Sequence, residues 1–206
     1  MPGSNAIRMP RQKRSIEKKE RILSAAYALF CEKGYYRTST PEIAERAQVS
    51  TGCLYSYFTD KHMIFMELLG RCQQEFGTLT NMFQKKLQHS FIDFQEYFRS
   101  YFVQMIDIHI KYKNFFLEMT ALYHSDAEIQ FHLDQNKEQI QDTLLRLMRQ
   151  STDLFHVHDI EAAAIVLYEM IDAFIDRVAF YENKIDQERI IKEGLRAVYR
   201  YLDIAD

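Results

Sequence analysis

Two short helical segments separated by a three-residue break occupy residues 38–61, TSTPEIAERAQVSTGCLYSYFTDK. Ser39 followed by Glu42 has the spacing of a capping box, which starts the first helix, and Pro41 suits a first helical turn. Residues 48–50 form the break, and Ser50 can cap a second helix, predicted over 51–57. This spacing is typical of a helix-turn-helix, whose second helix enters the major groove of DNA.

Three small or apolar residues lie where two crossing helices need them. Ala44 lets the helices approach closely, Val49 fills the space under the turn, and Leu54 packs inward from the second helix. Gln48 departs from the motif, because a glycine usually relieves a left-handed backbone there and another residue costs roughly 1 kcal/mol. Taken alone, the stretch could also be two amphipathic helices joined by an ordinary turn.

A strongly amphipathic helix precedes this pair, over residues 16–33. Its apolar stripe consists of Ile22, Ala25, Ala26, Leu29 and Phe30. Lys33 and Gly34 supply a basic last turn and a glycine stop. Three helices in so short a stretch predict a compact DNA-binding domain over residues 15–60.

Charge is divided unevenly along the chain, whose formal net charge is −3. Residues 1–61 contain eleven Lys and Arg against six Asp and Glu, whereas the remainder contains fifteen against twenty-three. A basic head on an acidic body is expected if only the head meets phosphate. Residues 1–14 are predicted to be a basic, disordered segment, either an arm along the DNA backbone or a solvated tail. The first eight of them look partly like a cloning remnant.

The segment 22–69, ILSAAYALFCEKGYYRTSTPEIAERAQVSTGCLYSYFTDKHMIFMELL, resembles the TetR family of transcriptional regulators. The matching positions are Phe30, Lys33, Gly34, Tyr35, Thr38, Ser39, Ile43, Ala44, Ala47, Val49, Ser50, Gly52, Leu54, Tyr55, Phe58 and Lys61. The resemblance implies an all-helical homodimer with an N-terminal DNA-binding domain and a C-terminal domain that binds an inducer. No motif in the remaining two thirds assigns a subfamily.

Eight residues around the second helix are predicted to contact DNA. The helix start offers amides and hydroxyls to phosphate, and Gly52 permits close approach of the backbone to the groove. Phosphate contacts are predicted for Thr40, Ser50, Thr51, Tyr57 and Lys61, the last two because the family usually contacts phosphate there. Contacts with base edges or thymine methyls are predicted for Thr51, Tyr55 and Ser56.

Residues 61–206 are predicted to form six more helices, so the fold class is all-α with about nine helices in total. The chain has few glycines, and all three prolines lie at or before Pro41, so nothing interrupts the later helices. The predicted helices run over 61–87, 91–110, 113–123, 126–151, 159–182 and 186–203, with a loop at 153–158. Their predicted N-terminal caps are Asp60, Ser90, Ser125, Asp159 and Asp186.

The last two helices, 159–203, are predicted to form the homodimer interface. They offer more apolar surface than one groove can bury, and three consecutive alanines at 162–164 allow close helix approach. The residues expected to pack between these helices are Ile171, Phe174, Ile175, Val178, Ile191, Leu195, Val198 and Leu202. Two such pairs would form an intermolecular four-helix bundle. The alternative is that the same residues build an intramolecular core.

The middle of the chain is rich in aromatic and sulfur-containing side chains, which could line an apolar ligand pocket. The predicted lining residues are Phe98, Tyr101, Phe102, Met105, Phe116, Met119, Tyr123 and Glu169. Acidic groups such as Asp107, Glu118 and Glu169 could select a cationic ligand. For any single residue an ordinary core position is the simpler interpretation, and the pocket is mainly what the resemblance implies.

Enzymatic and metal-binding interpretations have little support in the sequence. His156 and His158 could bind a metal, but a solvated loop explains them better, and the three cysteines lack metal-type spacing. No nucleophile elbow or phosphate-binding glycine loop is present. We expect no enzyme activity, cofactor or metal. No apolar run approaches the ~20 residues needed to span a bilayer, so a cytoplasmic protein without membrane contact is expected.

The sequence thus predicts a ligand-responsive DNA-binding regulator of transcription. The expected mode is repression from a palindromic operator, with release by a small, largely apolar inducer of unknown identity. The alternative is a helical dimer that binds a small molecule or a protein without operator-specific DNA binding. Activation instead of repression is left open by the sequence.

Overall fold

A computed structural model describes residues 8–87, 93–151 and 156–204, and the side chains from Lys13 onward in these ranges. These residues form α-helices and no β-strand. The helices are α1 (Arg8–Lys33), α2 (Thr40–Arg46), α3 (Thr51–Tyr55), α4 (Lys61–Leu87), α5 (Phe94–Lys111), α6 (Lys113–Tyr123), α7 (Ala127–Gln150), α8 (Ile160–Phe180) and α9 (Gln187–Tyr201). The predicted all-α fold class with about nine helices is confirmed.

Side-chain caps fix where several of these helices begin. Asp60, Asp159 and Asp186 accept backbone amides of their helices' first turns, as predicted. The predicted cap at Ser125 is wrong, because the neighbouring Asp126 accepts the amides of Glu128 and Ile129. A carboxylate is a charged acceptor beside the positive helix start, so it is the stronger cap there.

Two other helix starts differ from prediction. Asp93, rather than Ser90, caps α5 by accepting the amide of Glu96, and Ser90 itself lies outside the described residues. Helix α1 begins at Arg8, so residues 8–14 of the predicted disordered arm are helical. The strong helix formers that follow extend this helix toward the N-terminus. Residues 152–155 of the predicted loop lie outside the described part of the chain.

The chain divides into two compact units. The first runs to Cys72 and includes the short segment Leu117–Ala121 of α6, and the second contains Gln73–Phe116 and the residues from Leu122 onward. The first unit therefore extends past the predicted boundary at residue 60. Its core is built on Phe30, whose ring lies 5.4 Å from that of Tyr35 and 5.7 Å from that of Phe65. Ile22, Ile43, Leu54 and Phe58 are buried with it.

The core of the second unit lies among α5, α7, α8 and α9. The residues predicted to pack between α8 and α9 do meet there: Ile175, Val178, Ile191, Leu195, Val198 and Leu202 are buried within this chain. Gly194 makes room for the Phe174 ring, because a β-carbon would lie 3.2 Å from that ring. These residues therefore build an intramolecular core, which was the alternative to a dimer interface. An interface on α8 and α9 would have to use other side chains.

No described helix combines the length and the apolar character that a bilayer crossing requires.

Candidate nucleic-acid interface

A charged network fixes the start of α2. The backbone amide and the hydroxyl of Ser39 both donate to Glu42, at 2.9 and 2.7 Å, and Lys33 pairs with the same carboxylate. Hydrogen bonding from Lys33, then from the Ser39 hydroxyl and amide, lowers the pKa of Glu42 to about 2. The predicted capping box is thus present on the Glu42 side, and it ties α2 to the end of α1.

The turn between α2 and α3 contains the one residue that the motif does not favour. Gln48 has φ of 53°, a left-handed conformation. A side chain there costs about 1–2 kcal/mol relative to the right-handed region. The turn is held by backbone hydrogen bonds, including Val49 N–H to the Ala44 carbonyl at 3.0 Å. Ala44 is itself buried, as expected for the small residue predicted where the two helices cross.

Helix α3 is short and presents most of its surface to solvent. Ser50 caps it by accepting the amide of Cys53 at 3.1 Å, as predicted. Leu54, on the inner face of α3, is fully buried. The outward residues are Thr51, Gly52, Tyr55 and Ser56. A β-carbon added at Gly52 would meet nothing within 4 Å, so the surface above it is open.

Tyr55 is the largest exposed side chain of α3, with half of its surface accessible. Its hydroxyl lies 2.9 Å from the Thr40 hydroxyl at the start of α2. This bond holds the Tyr55 ring against the start of α2. Ser56 donates its hydroxyl to the Cys53 carbonyl at 2.6 Å, so its donor is engaged within the helix.

The long first helix adds basic charge close to this surface. The hydroxyl of Tyr57 lies 3.0 Å from that of Ser15 on α1. Around Ser15 the helix carries exposed cationic side chains: Lys13, Arg14, Lys18 and Arg21. Exposed cations on a helix that contacts the segment directly after α3 favour contact with a polyanion.

The Lys61 ammonium bonds within its own unit, and its phosphate contact stays a prediction. Its ammonium donates to the carbonyls of Tyr35 and Thr38, at 2.8 and 3.0 Å, and lies 4.4 Å from the centre of the Tyr35 ring. Burial lowers the pKa of Lys61. In this geometry the side chain secures the loop between α1 and α2.

Replacing Lys61 with Met should destabilise the first unit. The change removes charge-assisted bonds to two carbonyls, which contribute about 1.5–3 kcal/mol each, while the partly exposed site reduces the total to about 2 kcal/mol. Denaturant unfolding measures the difference. Lys18→Met, the same change at an exposed lysine of α1, should leave stability within about 0.5 kcal/mol of wild type. A stable Lys61→Met variant with weakened DNA binding would instead assign Lys61 to phosphate.

One contact of this unit escaped sequence reasoning. Glu118, in the α6 segment that belongs to the first unit, accepts the amide of Tyr35 at 2.8 Å. Its carboxylate also lies 3.4 Å from the position of a β-carbon on Gly34, whose φ is 89°. The two residues are 83 positions apart, so only the tertiary fold brings them together.

The residues predicted to line a ligand pocket lie in different surroundings. In the second unit Phe98 and Phe102 are core residues, with Tyr101 and Met105 packed against them. Phe116 stacks on His109, and the Tyr123 hydroxyl donates to Asp134 at 2.8 Å. Met119 is buried and belongs to the first unit. Glu169 is exposed and paired with Lys137 at 2.8 Å. The set as a pocket stays a prediction.

The remaining candidates for metal chemistry are scattered. His156 and His158 are both exposed. Cys31, Cys53 and Cys72 are not in disulfide bonds among the described residues, and burial raises the pKa of Cys31. A different set of described side chains, His109, Asp172 and Asp176, has the arrangement that could hold a metal ion.

The structure is an all-α protein with a helix-turn-helix, and the helix-turn-helix segment matches a known family. Residues 22–68 match the family model described as bacterial regulatory proteins, tetR family. The transcriptional regulator HbdR of Aromatoleum sp. (strain CIB) is 49% identical over 53 residues, which cover 25% of this chain and 23% of HbdR. The match thus spans about a quarter of that relative's length.

Solved structures extend the likeness to the whole fold. A TetR-family transcriptional regulator from Mesorhizobium loti MAFF303099 superposes with a TM-score of 0.70 at 20% identity, covering 92% of this chain and 97% of that one. The fatty acid degradation regulator FadR from Bacillus halodurans gives 0.68 at 18% identity, covering 91% and 97%. Residues 22–68 thus carry the match to the TetR family, and the solved structures show that the fold is shared.

Proposed function

We propose that this protein is a ligand-responsive transcriptional repressor that binds a palindromic operator as a homodimer. The observation that carries the proposal is the exposed surface of α3, where Thr51, Gly52 and Tyr55 lie together above a buried Leu54. A rigid helix that presents polar and aromatic groups over open space fits the major groove. Operator DNA lies in the bacterial cytoplasm, and we place the protein there.

Contacts with DNA divide into two kinds in this proposal. Thr51, Tyr55 and Ser56 face the base edges, and Tyr55 approaches with the orientation that Thr40 gives it. Ser50 and Tyr57, with the exposed cations of α1, meet phosphates. Phosphate contacts position the domain, whereas base contacts specify the sequence. Lys61 supports the loop between α1 and α2, and its positive charge adds to the attraction of the domain for phosphate.

Dimerisation supplies the second half-site. On α8, Ile165 and Val166 expose 52% and 42% of their surface, although the same helix buries Leu167, Ile175 and Val178. Exposed apolar residues on an otherwise core-forming helix favour a symmetric partner. We propose that these residues form the centre of the homodimer interface on α8 and α9. The two α3 helices would then read half-sites about 34–36 Å apart, or at a related spacing.

The ligand is proposed to be a small, largely apolar molecule bound in the second unit. The support is the density of aromatic groups there: the Phe83 ring stacks on those of Tyr101 and Tyr97, at 4.4 and 5.0 Å. The regulator FadR, which shares the fold, carries fatty acid degradation in its name. A ligand that prefers the DNA-free form shifts the population away from the operator. Helix α4, which contributes residues to both units, is the proposed lever.

Selection from random-sequence duplex DNA tests the proposal. Repeated rounds of binding and amplification should enrich an inverted repeat with two similar half-sites. Enrichment of a single unrepeated half-site would show that the protein does not bind its operator as a symmetric dimer. Recovery of no common sequence would leave the helical dimer without operator-specific binding as the better description.

A further inference from the structure

Three side chains of metal-binding type meet inside the second unit, outside the surface proposed for DNA. They are His109 on α5 and Asp172 and Asp176 on α8, and one ligand atom from each lies within 4.8 Å of the others. The two aspartates are four residues apart, which puts them on one face of α8. Packing of α5 against α8 brings His109 to that face. The proposed function uses none of the three.

His109 has the tautomer that a metal ligand needs. His109 is 8% exposed, and its Nδ1 lies 2.7 Å from the Met105 carbonyl oxygen. A carbonyl oxygen only accepts, so Nδ1 carries the proton and Nε2 keeps its lone pair. Burial lowers the pKa of His109, which favours the neutral ring that a metal requires. A ligating histidine with its other nitrogen on a backbone carbonyl is the usual outer-shell arrangement.

Aromatic packing fixes the orientation of this ring. Phe116 stacks on it with an interplanar angle of 2° and a centroid distance of 5.0 Å. Phe76 approaches it edge-on at 4.9 Å, and Phe180 at 6.1 Å. The imidazole therefore cannot turn away from α8 without disturbing three neighbouring rings.

The two carboxylates are held close together without a balancing partner. Within the described residues, neither Asp172 nor Asp176 accepts a hydrogen bond or forms an ion pair. Lys137 acts on Asp172 only through its charge and is itself paired with Glu169 at 2.8 Å. A divalent cation would relieve this uncompensated charge.

We propose that His109, Asp172 and Asp176 bind one divalent transition-metal cation of the Zn²⁺ or Mn²⁺ class. One imidazole nitrogen with two carboxylates suits these ions, whereas Mg²⁺ and Ca²⁺ prefer oxygen ligands alone. Metal–ligand bonds of about 2.1 Å would place tetrahedral ligands roughly 3.4 Å apart. Because the ligand atoms lie within 4.8 Å of one another, each pair needs to close by at most about 1.4 Å. Three protein ligands leave further positions for water or for an acidic group of a bound molecule.

Titration of chelator-treated full-length protein tests the site. Zn²⁺ binding is followed by calorimetry and Mn²⁺ binding by electron paramagnetic resonance. We expect about one equivalent of each ion, with Zn²⁺ bound more tightly, in the order that divalent ions usually follow. In Asp172→Asn/Asp176→Asn the affinity should fall at least about 100-fold. This variant removes charge without changing size, so it should fold, and circular dichroism checks that it does.

Two matched controls separate this site from surface groups. Asp142→Asn and His132→Gln make the same chemical changes at exposed positions on α7, and both should bind like wild type. His109→Gln should lose binding as the double variant does. Stoichiometric binding retained by the double aspartate variant, or wild-type binding weaker than about 1 mM, overturns the proposal. Operator binding by metal-free protein does not depend on the outcome, so a failure here leaves the proposed function intact.

Discussion

Replacing Tyr55 with Ala is expected to lower operator affinity about 100-fold while leaving the fold intact. A base contact is worth about 1–3 kcal/mol, and a dimer loses two of them. Tyr55 is half exposed, and its hydroxyl forms a hydrogen bond with that of Thr40. Its loss should therefore change the melting temperature by no more than a few degrees. Gel-shift titration on the selected operator measures the affinity, and circular dichroism measures the melting temperature.

Two comparisons make the Tyr55 result specific. Tyr181→Ala applies the same truncation to an exposed tyrosine beyond α8, and it should bind the operator like wild type. Tyr55→Phe removes only the hydroxyl, and so it separates the contribution of the Thr40 bond from that of the ring. Unchanged affinity in Tyr55→Ala, with a folded protein, would mean that α3 does not read the groove through this residue.

Replacing Ile165 with Asp should convert the protein to a monomer at micromolar concentration. Ile165 is 52% exposed in the single chain. In a symmetric interface the substitution buries two unpaired carboxylates, at a cost of several kcal/mol each. The dimer dissociation constant should rise at least about 1,000-fold, and operator affinity should fall with it. Size-exclusion chromatography with light scattering gives the mass directly.

Ile140→Asp is the matched control for the interface. Ile140 is an exposed isoleucine on α7, so the same change there should leave the mass of a dimer. Because both positions are solvent-exposed in the single chain, neither variant should unfold. A dimer that survives Ile165→Asp at micromolar concentration would move the interface away from this face of α8. If the wild-type protein is a monomer, the proposal that a homodimer binds a palindromic operator is wrong.

Local signals in the sequence were sufficient for most of the architecture. Ser50, Asp60, Asp159 and Asp186 were identified as caps because each is a short polar acceptor directly before an apolar periodic segment. The same rule failed where two acceptors are neighbours, since nothing local ranks Ser125 against Asp126. The strained turn at Gln48 was also predictable, because the motif needs a left-handed residue there and the chain supplies no glycine.

Contacts set by tertiary packing could not be predicted in this way. The family pattern assigned Lys61 to phosphate, whereas its ammonium lies on loop carbonyls that come 23 and 26 residues earlier in the chain. The group formed by His109, Asp172 and Asp176 was missed, because its members lie on two helices whose register no local pattern fixes. Apolar patterning also left open whether Ile175 and Leu195 face a partner or their own core, and the structure places them in the core.

The central claim is sequence-specific DNA binding by α3, and a comparison of two duplexes tests it most directly. Wild-type affinity is measured for the selected operator and for a scrambled duplex of equal length and composition, at several salt concentrations. We expect the operator to be bound at least about 1,000-fold more tightly at physiological salt, with affinity for both duplexes falling as salt rises. Equal affinity for the two duplexes at every salt concentration would contradict the claim and leave only a basic domain that attracts phosphate.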